Sequence, residues 1–396
     1  MDRPWLWIIG IGEDGLTGLS DASLAALAAA EIVFGGPRHL ALARVGARGQ
    51  AWPVPFSVAP VLACRGRAVA VLTSGDPFWH GAGGSLAGHL TREEWESYPV
   101  PSSFALAANR LGWPLEATTC LGLHANAFAM LRPHLWRGQR LICTLRDAAA
   151  LAELAAWLTA QGAEAQLHAL ERLGGQAERI RTVLASGYAL TDVQAPVLVG
   201  IEMHNSMGLP STPGLPDRLF QTDGQITKQP VRALTLSALA PRTGALLWDI
   251  GAGSGSIAVE WGLQGGRAIA VETRADRLAN IAANIAQFGL QSRIDLVQAD
   301  VSGGQLPAVL TATQPDAVFI GGGADEALLS ALFAILPPGV RLVLNTVTLE
   351  SESLVLRWQA ARGGSLLRID LAQAAPLGRL HGWQPARPVV QWNVLT

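Results

Sequence analysis

The segment Trp248-Asp249-Ile250-Gly251-Ala252-Gly253-Ser254-Gly255-Ser256 constrains the fold of this chain more than any other. The apolar run Ala245-Leu246-Leu247-Trp248 leads into an acidic residue and three alternating glycines, and the helical pattern Ile257-Ala258-Val259-Glu260-Trp261 follows directly. A buried strand, a tight glycine turn and a helix N-terminus together make a place where a nucleotide-like ligand meets backbone N–H groups. A second apolar run, Ala268-Ile269-Ala270-Val271, ends in Glu272. That carboxylate falls where a ribose presents its hydroxyls.

The spacing separates two kinds of ligand. A dinucleotide fingerprint, G-x-G-x-x-G/A, puts its third small residue at Ser256, whereas here the third glycine comes early, at Gly255. Asp249, two residues before Gly251, would repel a pyrophosphate and suits a ligand with a cationic amino-acid end. The alternative is a tight turn in an α/β protein with no ligand. The spacing resembles motif I of the S-adenosylmethionine-dependent methyltransferases with a doubly wound sheet. That resemblance makes Asp249, Gly251, Ala252, Gly253, Ser254 and Gly255 cofactor contacts and Glu272 the ribose partner. It lays Asp300 and Val301, in Gln298-Ala299-Asp300-Val301, along the adenine.

Composition removes whole classes of function. At 396 residues the chain predicts two or three domains, and a 49% apolar, 15% charged composition supplies a large core. A net charge of −2 argues against nucleic acid as partner, since phosphate binding needs a basic surface. No segment reaches the roughly 18 uninterrupted apolar residues of a membrane span. The N-terminus lacks the pattern of a secretory signal, so the expected compartment is the cytoplasm. Cys64, Cys120 and Cys143 lie far apart without metal spacing and read as buried thiols, and no histidine pair has ligand spacing, so no metal is expected. All 29 basic residues but Lys228 are arginine, which reads as genome bias and says little about ligands.

Short apolar runs alternate with helical patterns through both halves. In the first, Trp5–Ile9, Val69–Leu72, Arg140–Cys143 and Val197–Ile201 read as strands, and 24–30 reads as a helix capped by Ser20 or Asp21. The segment 207–216 holds three prolines and two glycines and sustains neither helix nor central strand, so the domains are expected to be 1–206 and 207–396. In the second half Leu246–Ile250, Arg267–Val271, Ile294–Val297, Ala317–Ile320 and Arg341–Thr346 read as five parallel strands. Residues 366–371 and 388–395 add an antiparallel edge hairpin. The fold class is therefore α/β, with a Rossmann-like methyltransferase sheet in the C-terminal half.

The first half carries its own glycine loops: Gly10-Ile11-Gly12 after the first strand, and Thr73-Ser74-Gly75-Asp76-Pro77-Phe78-Trp79-His80-Gly81 after a later one. Taken alone, Gly75-Asp76-Pro77 reads equally as an ordinary turn. With Tyr98-Pro99-Val100-Pro101-Ser102-Ser103-Phe104 the set resembles the tetrapyrrole (corrin/porphyrin) methylase family, which binds S-adenosylmethionine between two α/β subdomains. The resemblance implies cofactor contacts at Gly10, Gly12, Gly75, Asp76, Pro77, Gly81, Ser102 and Ser103.

The order of the two halves resembles the precorrin-6Y C(5,15)-methyltransferase (decarboxylating) family of cobalamin biosynthesis. Leu173-Gly174-Gly175, Gly214-Leu215-Pro216-Asp217 and Gln225-Ile226-Thr227-Lys228 extend it across nearly the whole chain. The resemblance implies two S-adenosyl-L-methionine sites and a tetrapyrrole substrate, precorrin-6B. It implies methylation of carbon 5 by the N-terminal domain. The C-terminal domain would methylate carbon 15 and decarboxylate the carbon-12 acetate, giving precorrin-8. It makes Thr227 a cofactor contact.

Gly321-Gly322-Gly323 frees backbone N–H groups to meet a substrate carboxylate, with close packing as the alternative reading. Lys228, Asn345, Glu350, Arg379 and His381 are further candidates for substrate contact, the last two in a loop between the final strands. No general base stands out, consistent with a carbon nucleophile. A homo-oligomer is expected. Two other readings remain open at this stage: the same folds acting on another tetrapyrrole, and a regulator that binds S-adenosylmethionine without chemistry.

Overall fold

The computed structural model describes residues 4–396, which form two compact units. The first comprises residues up to Phe128 together with His134–Gly208, the second Ala129–Pro133 with Leu209–Thr396. The segment 129–133 thus leaves the first half of the sequence for the second unit, where the Arg132 guanidinium donates to the Gln287 carbonyl at 3.1 Å.

Unit 1 holds two five-stranded sheets. β1 (Leu6–Ile11), β2 (Ile32–Gly35), β3 (Gly49–Ala51), β4 (Val69–Ser74) and β5 (Trp95–Tyr98) are all parallel, in the order β3-β2-β4-β1-β5. Leu6, Ile8, Ile9 and Val69 to Leu72 are completely buried, because a parallel sheet covered on both faces needs continuous apolar runs. The helix Asp21–Ala29 starts where expected, with the Ser20 hydroxyl accepting from the Ser23 amide. The second sheet comprises β6 (Thr119–Gly122), β7 (Arg140–Thr144), β8 (Ala165–Glu171), β9 (Arg179–Leu184) and β10 (Val197–Met203), in the order β6-β7-β10-β8-β9. It is antiparallel except between β6 and β7. On the edge strand β9, Arg179 and Arg181 both reach the buried carboxylate of Glu171, at 2.7 and 2.9 Å.

Unit 2 is built on one seven-stranded sheet in the order β13-β12-β11-β14-β15-β19-β16. β11 (Leu246–Ile250), β12 (Arg267–Glu272), β13 (Ile294–Gln298), β14 (Ala317–Ile320) and β15 (Arg341–Thr346) are the five parallel strands read from the sequence. Strand order reverses beside β11, which makes the carboxyl ends of β11 and β14 the place where an open α/β sheet takes its ligand. The edge is antiparallel as expected: β16 (Ser365–Ile369) pairs with β19 (Val389–Leu395), and β19 pairs with β15. Between them lies a correction. β17 (Ala372–Leu377) and β18 (Leu380–Pro385) form a separate two-stranded ribbon, turning through Gly378-Arg379, where a loop was expected. Trp248 and Trp392 are buried in the core on one face of the sheet, and Trp261 and Phe288 on the other. Among the described residues, no helix is long and apolar enough to cross a membrane.

Candidate functional site

In unit 2 a cleft of about 1260 Å³ opens at the carboxyl ends of β11, β12 and β14. The wall includes Gly251 to Ser254, Glu272, Asp300 and Val301, with Thr227 and Lys228 and with Gly321 to Gly323. Strand–turn–helix geometry explains the glycines. Gly251 has φ +67°, and a Cβ there would meet the Gly322 carbonyl at 2.6 Å. Gly255 has φ +70° and N-caps the helix Ser256–Leu263; its Cβ would meet Ile281 at 2.7 Å. Gly255 is absent from the cleft wall: the early third glycine serves helix packing, not the ligand. Around Gly322 and Gly323 an added Cβ would find open space, and at Gly253 it would meet only the Gly251 carbonyl at 4.0 Å, so a ligand can approach this backbone closely.

Asp249 is corrected too. It is fully buried beneath the loop, outside the cleft wall, and its Oδ2 accepts from the Ala258 amide at 3.1 Å. Oδ1 has no hydrogen-bond partner. Burial, with the nearby Glu272 charge adding, pushes this carboxyl up to about 7, against the opposing Ala258 bond. Glu272 is aimed differently. Its oxygens accept from the amides of Gly253 at 2.9 Å, Thr273 at 3.0 Å and Arg274 at 3.1 Å. A carboxylate offers about four acceptor positions, so one stays open toward a hydroxyl donor in the cleft.

The remaining candidates divide. Asn345 reaches the cleft wall, yet its amide donates to Thr235 Oγ1 at 2.8 Å and its carbonyl accepts from Gln391 at 3.0 Å. That buried network ties the helix Gln229–Leu239 to β15 and β19 and uses Asn345 structurally. Glu350 is exposed in the first turn of the helix Leu349–Arg362 and outside the wall. Arg379 and His381 sit at the exposed tip of the β17–β18 ribbon, likewise outside it. The base of the ribbon, with Gln373, Gln384 and Arg387, does line the cleft.

A second feature of this site has no counterpart in the sequence reading. Arg232 is completely buried, and its Nε donates to Glu260 at 2.5 Å. Glu260 also accepts from the amides of Gly214 at 2.6 Å and Leu215 at 2.9 Å. The Arg232 guanidinium donates further to the carbonyls of Leu215 and Thr227 and to Asp217 at 3.1 Å. One buried ion pair thus pins both ends of the strap 214–228 that carries Thr227 and Lys228. The Lys228 ammonium, 3.9 Å from Asp217, is more than half exposed.

Unit 1 has a cavity of about 730 Å³. Gly81, Ser102 and Ser103 line it; Gly10, Gly12, Gly75, Asp76 and Pro77 do not. The physical reason is backbone crossing. A Cβ on Gly10 would lie 1.8 Å from the Gly75 carbonyl, and the Gly75 amide donates to the Ile11 carbonyl at 3.2 Å. Gly12 leaves room for the Asp14 carboxylate, 2.6 Å from an added Cβ. Asp76 accepts from the Phe78 amide at 2.8 Å, and the Pro77 carbonyl accepts from Gly83 at 3.0 Å. These residues shape the loops that frame the cavity. Ser102 does both jobs, since its hydroxyl also caps the helix Ser103–Leu111.

Beyond Ser102 and Ser103, sequence reasoning gives no role to the polar groups that line this cavity, among them Arg38, His39, Thr73, Ser74, His80 and His124. The signal for two of them was Gly35-Gly36-Pro37-Arg38-His39: a strand end followed by a helix with proline at its first position. Such a junction at the carboxyl edge of a parallel sheet faces the ligand side. Among the described residues no cluster of three or more His, Cys, Asp or Glu side chains is placed to hold a metal.

Both cavities fit a nucleoside ligand in size, since small-molecule sites run to about 300–1,000 Å³. The cleft in unit 2 exceeds that range and has room for part of a second molecule. Its approachable glycine backbone beside a carboxylate with spare acceptor capacity suits S-adenosylmethionine.

Known proteins agree with this division. Residues 5–187 match the family of tetrapyrrole (corrin/porphyrin) methylases, and residues 218–396 match the precorrin methyltransferase domain. A precorrin-6Y C(5,15)-methyltransferase [decarboxylating] from Sinorhizobium sp. is 45% identical, covering 98% of this chain and 96% of that protein. The protein of the same name from Mycobacterium tuberculosis (strain CDC 1551 / Oshkosh) is 38% identical and covers 98% of each chain. The solved C-terminal domain of precorrin-6Y C5,15-methyltransferase from Rhodobacter capsulatus is 54% identical, with a TM-score of 0.45, covering 48% of this chain and all of that one. Similarity that runs through both units at this level places the chain in the precorrin-6Y C(5,15)-methyltransferase (decarboxylating) family.

Proposed function

We propose that the chain methylates carbons 5 and 15 of precorrin-6B and removes its carbon-12 acetate carboxyl as carbon dioxide, giving precorrin-8 in cobalamin biosynthesis. The observation that carries this reading is the pairing of two ligand-sized cavities on two different folds within one chain. Each cavity takes one S-adenosyl-L-methionine, whose sulfonium supplies the methyl group when bound. Unit 1 methylates carbon 5; unit 2 methylates carbon 15 and decarboxylates.

In unit 2 the loop Gly251 to Ser254 borders the cofactor, its first three amides already donating to Val271 and Glu272, while Glu272 accepts from the ribose and Asp300, Val301 and Thr227 border the adenosine. Gly322 and Gly323 offer backbone N–H groups, and Lys228 an exposed cation, to the substrate carboxylates, whereas the Gly321 amide is held by the Ile250 carbonyl. This suits a corrinoid that carries several acetates and propionates. A reduced corrinoid ring has enamine-like carbons that are already nucleophilic. The protein's task is therefore to align the two ligands and exclude water rather than to supply a strong base. We place the enzyme in the cytoplasm, a reading supported by three unpaired cysteines. We propose a homo-oligomer, supported by Leu377, Leu380 and Trp383, each at least 70% exposed on the β17–β18 ribbon.

Incubation of the full chain with S-adenosylmethionine and precorrin-6B, followed by mass spectrometry of the product, tests the reading. The expected product has gained two methyl groups and lost one carbon dioxide. A product of unchanged mass overturns it, and turnover of a different tetrapyrrole only would reassign the substrate.

A further inference from the structure

The unit 1 cavity contains a polar cluster that neither the glycine motifs nor the family resemblance accounts for. Arg38 and His39 begin the helix Pro37–Leu42 after β2, and Thr73 and Ser74 end β4. All four line the cavity. Arg38 Nη2 lies 2.9 Å from His39 Nε2 and 3.1 Å from Ser74 Oγ, and His39 Nε2 lies 2.8 Å from Ser74 Oγ.

This geometry fixes the histidine tautomer. A guanidinium only donates, so Nε2 must accept, and the ring proton resides on Nδ1. His39 is neutral at neutral pH, because burial and then the Arg38 charge hold it at about 4. Its Nδ1 is buried and has no hydrogen-bond partner among the described residues. Neither has the hydroxyl of Thr73, a residue only 4% exposed. Buried polar atoms without partners are uncommon in folded proteins and call for an explanation.

Charge points to the ligand. Behind the cluster, the nearly buried Glu13 carboxylate contacts Arg38 and lies 3.6 Å from Arg172. One carboxylate between two guanidinium groups leaves one positive charge uncompensated. The other arginine of the cavity, Arg146, is held by both Asp147 and Glu153, so its charge is spent.

We infer that Arg38, the Nδ1–H of His39 and the Thr73 hydroxyl form a carboxylate-anchoring site in the unit 1 cavity. The inference rests on the proposed function, in which two ligands of unit 1 carry carboxylates: the corrinoid through its acetates and propionates, and S-adenosylmethionine through its amino-acid end. Arg38 supplies the charge, His39 and Thr73 the direction, and Glu13 fixes the orientation of Arg38 from behind as a positioning residue.

Steady-state kinetics on the full chain, with precorrin-6B and S-adenosylmethionine varied separately and each methylation followed by product mass, tests the site. Arg38→Leu and His39→Phe should each raise one KM of the carbon-5 step by about tenfold, the cost of losing a charge-assisted hydrogen bond. The carbon-15 step and the decarboxylation should be unaffected. A rise in the KM for precorrin-6B assigns the anchored group to the substrate; a rise in the KM for S-adenosylmethionine assigns it to the cofactor. Arg38→Lys should recover part of the loss. Thr73→Val, which keeps the buried shape, should raise the same KM more weakly. If these variants keep both wild-type KM values, or lose kcat alone, the site is wrong while the proposed function stands. If the wild-type chain adds no methyl to precorrin-6B, the functional reading itself fails.

Discussion

Asp249 shows how a motif residue can be legible while its role is not. The sequence marks it as the acidic residue ahead of a glycine loop, facing a cationic ligand; the fold buries it under that loop with one oxygen unpaired. Its carboxyl is raised from 3.8 to about 7, so the folded state holds a proton that the unfolded chain releases. Its contribution to stability is complete at pH below about 4 and is lost as pH rises toward about 7. Asp249→Asn should therefore match the wild type in acid and exceed it in stability above neutrality. The gain is on the order of 4 kcal/mol, read from denaturant unfolding at several pH values. A gap that does not widen with pH would contradict this. Gly251, by contrast, was legible in identity, and the fold supplies its reason. A Cβ there strikes the Gly322 carbonyl, and φ is positive. Gly251→Val should abolish binding of S-adenosylhomocysteine in unit 2, measured by calorimetry, while the helical circular dichroism is retained. Arg38 and His39 were not legible, because no local pattern reveals that two side chains will find Ser74, some 35 residues on, at hydrogen-bond distance.

Among the elements, the five parallel strands of unit 2 could be read because each is built around apolar residues and bounded by turn residues, although β13 carries Asp295 and Gln298. The β17–β18 ribbon could not. Its residues are exposed and carry alanine and proline in place of an alternating apolar face. The signal that remained was Leu377-Gly378-Arg379-Leu380, a two-residue turn with glycine first, as tight hairpins prefer. In unit 1, β2, β3 and β6 are only three or four residues long and escape any periodicity test. The segment 207–216 reads as a breaker region, but the strap 214–228 overlaps only its end, and what holds that strap is the Arg232–Glu260 pair, a contact across 28 residues of sequence. Removing one partner of a buried pair strands the other charge, so Glu260→Ala should cost about 3–5 kcal/mol in denaturant unfolding. The paired apolar replacement Arg232→Met with Glu260→Leu should cost less than either single change. Additive losses would show that the two residues do not act together. Because Thr227 rides on this strap, the single variant should also weaken S-adenosylhomocysteine binding to unit 2.

At the scale of the whole molecule, the proline- and glycine-rich segment near residue 210 announces two units, whereas the assignment of Ala129–Pro133 to unit 2 has no local sign. It depends on Arg132, which donates to Gln287 and stacks 5.2 Å from the Phe288 ring. The exposed ribbon gives the expected oligomer a place to form. Light scattering should find a multiple of the chain mass, and Trp383→Asp with Leu380→Asp should reduce it without loss of cofactor binding; a wild-type monomer would contradict that expectation. The account stands or falls on there being two cofactor sites on one chain. Calorimetric titration of the full chain with S-adenosylhomocysteine measures this directly. Two equivalents should bind to the wild type and one to Gly251→Val. A single equivalent in the wild type, or two in the variant, would contradict the account.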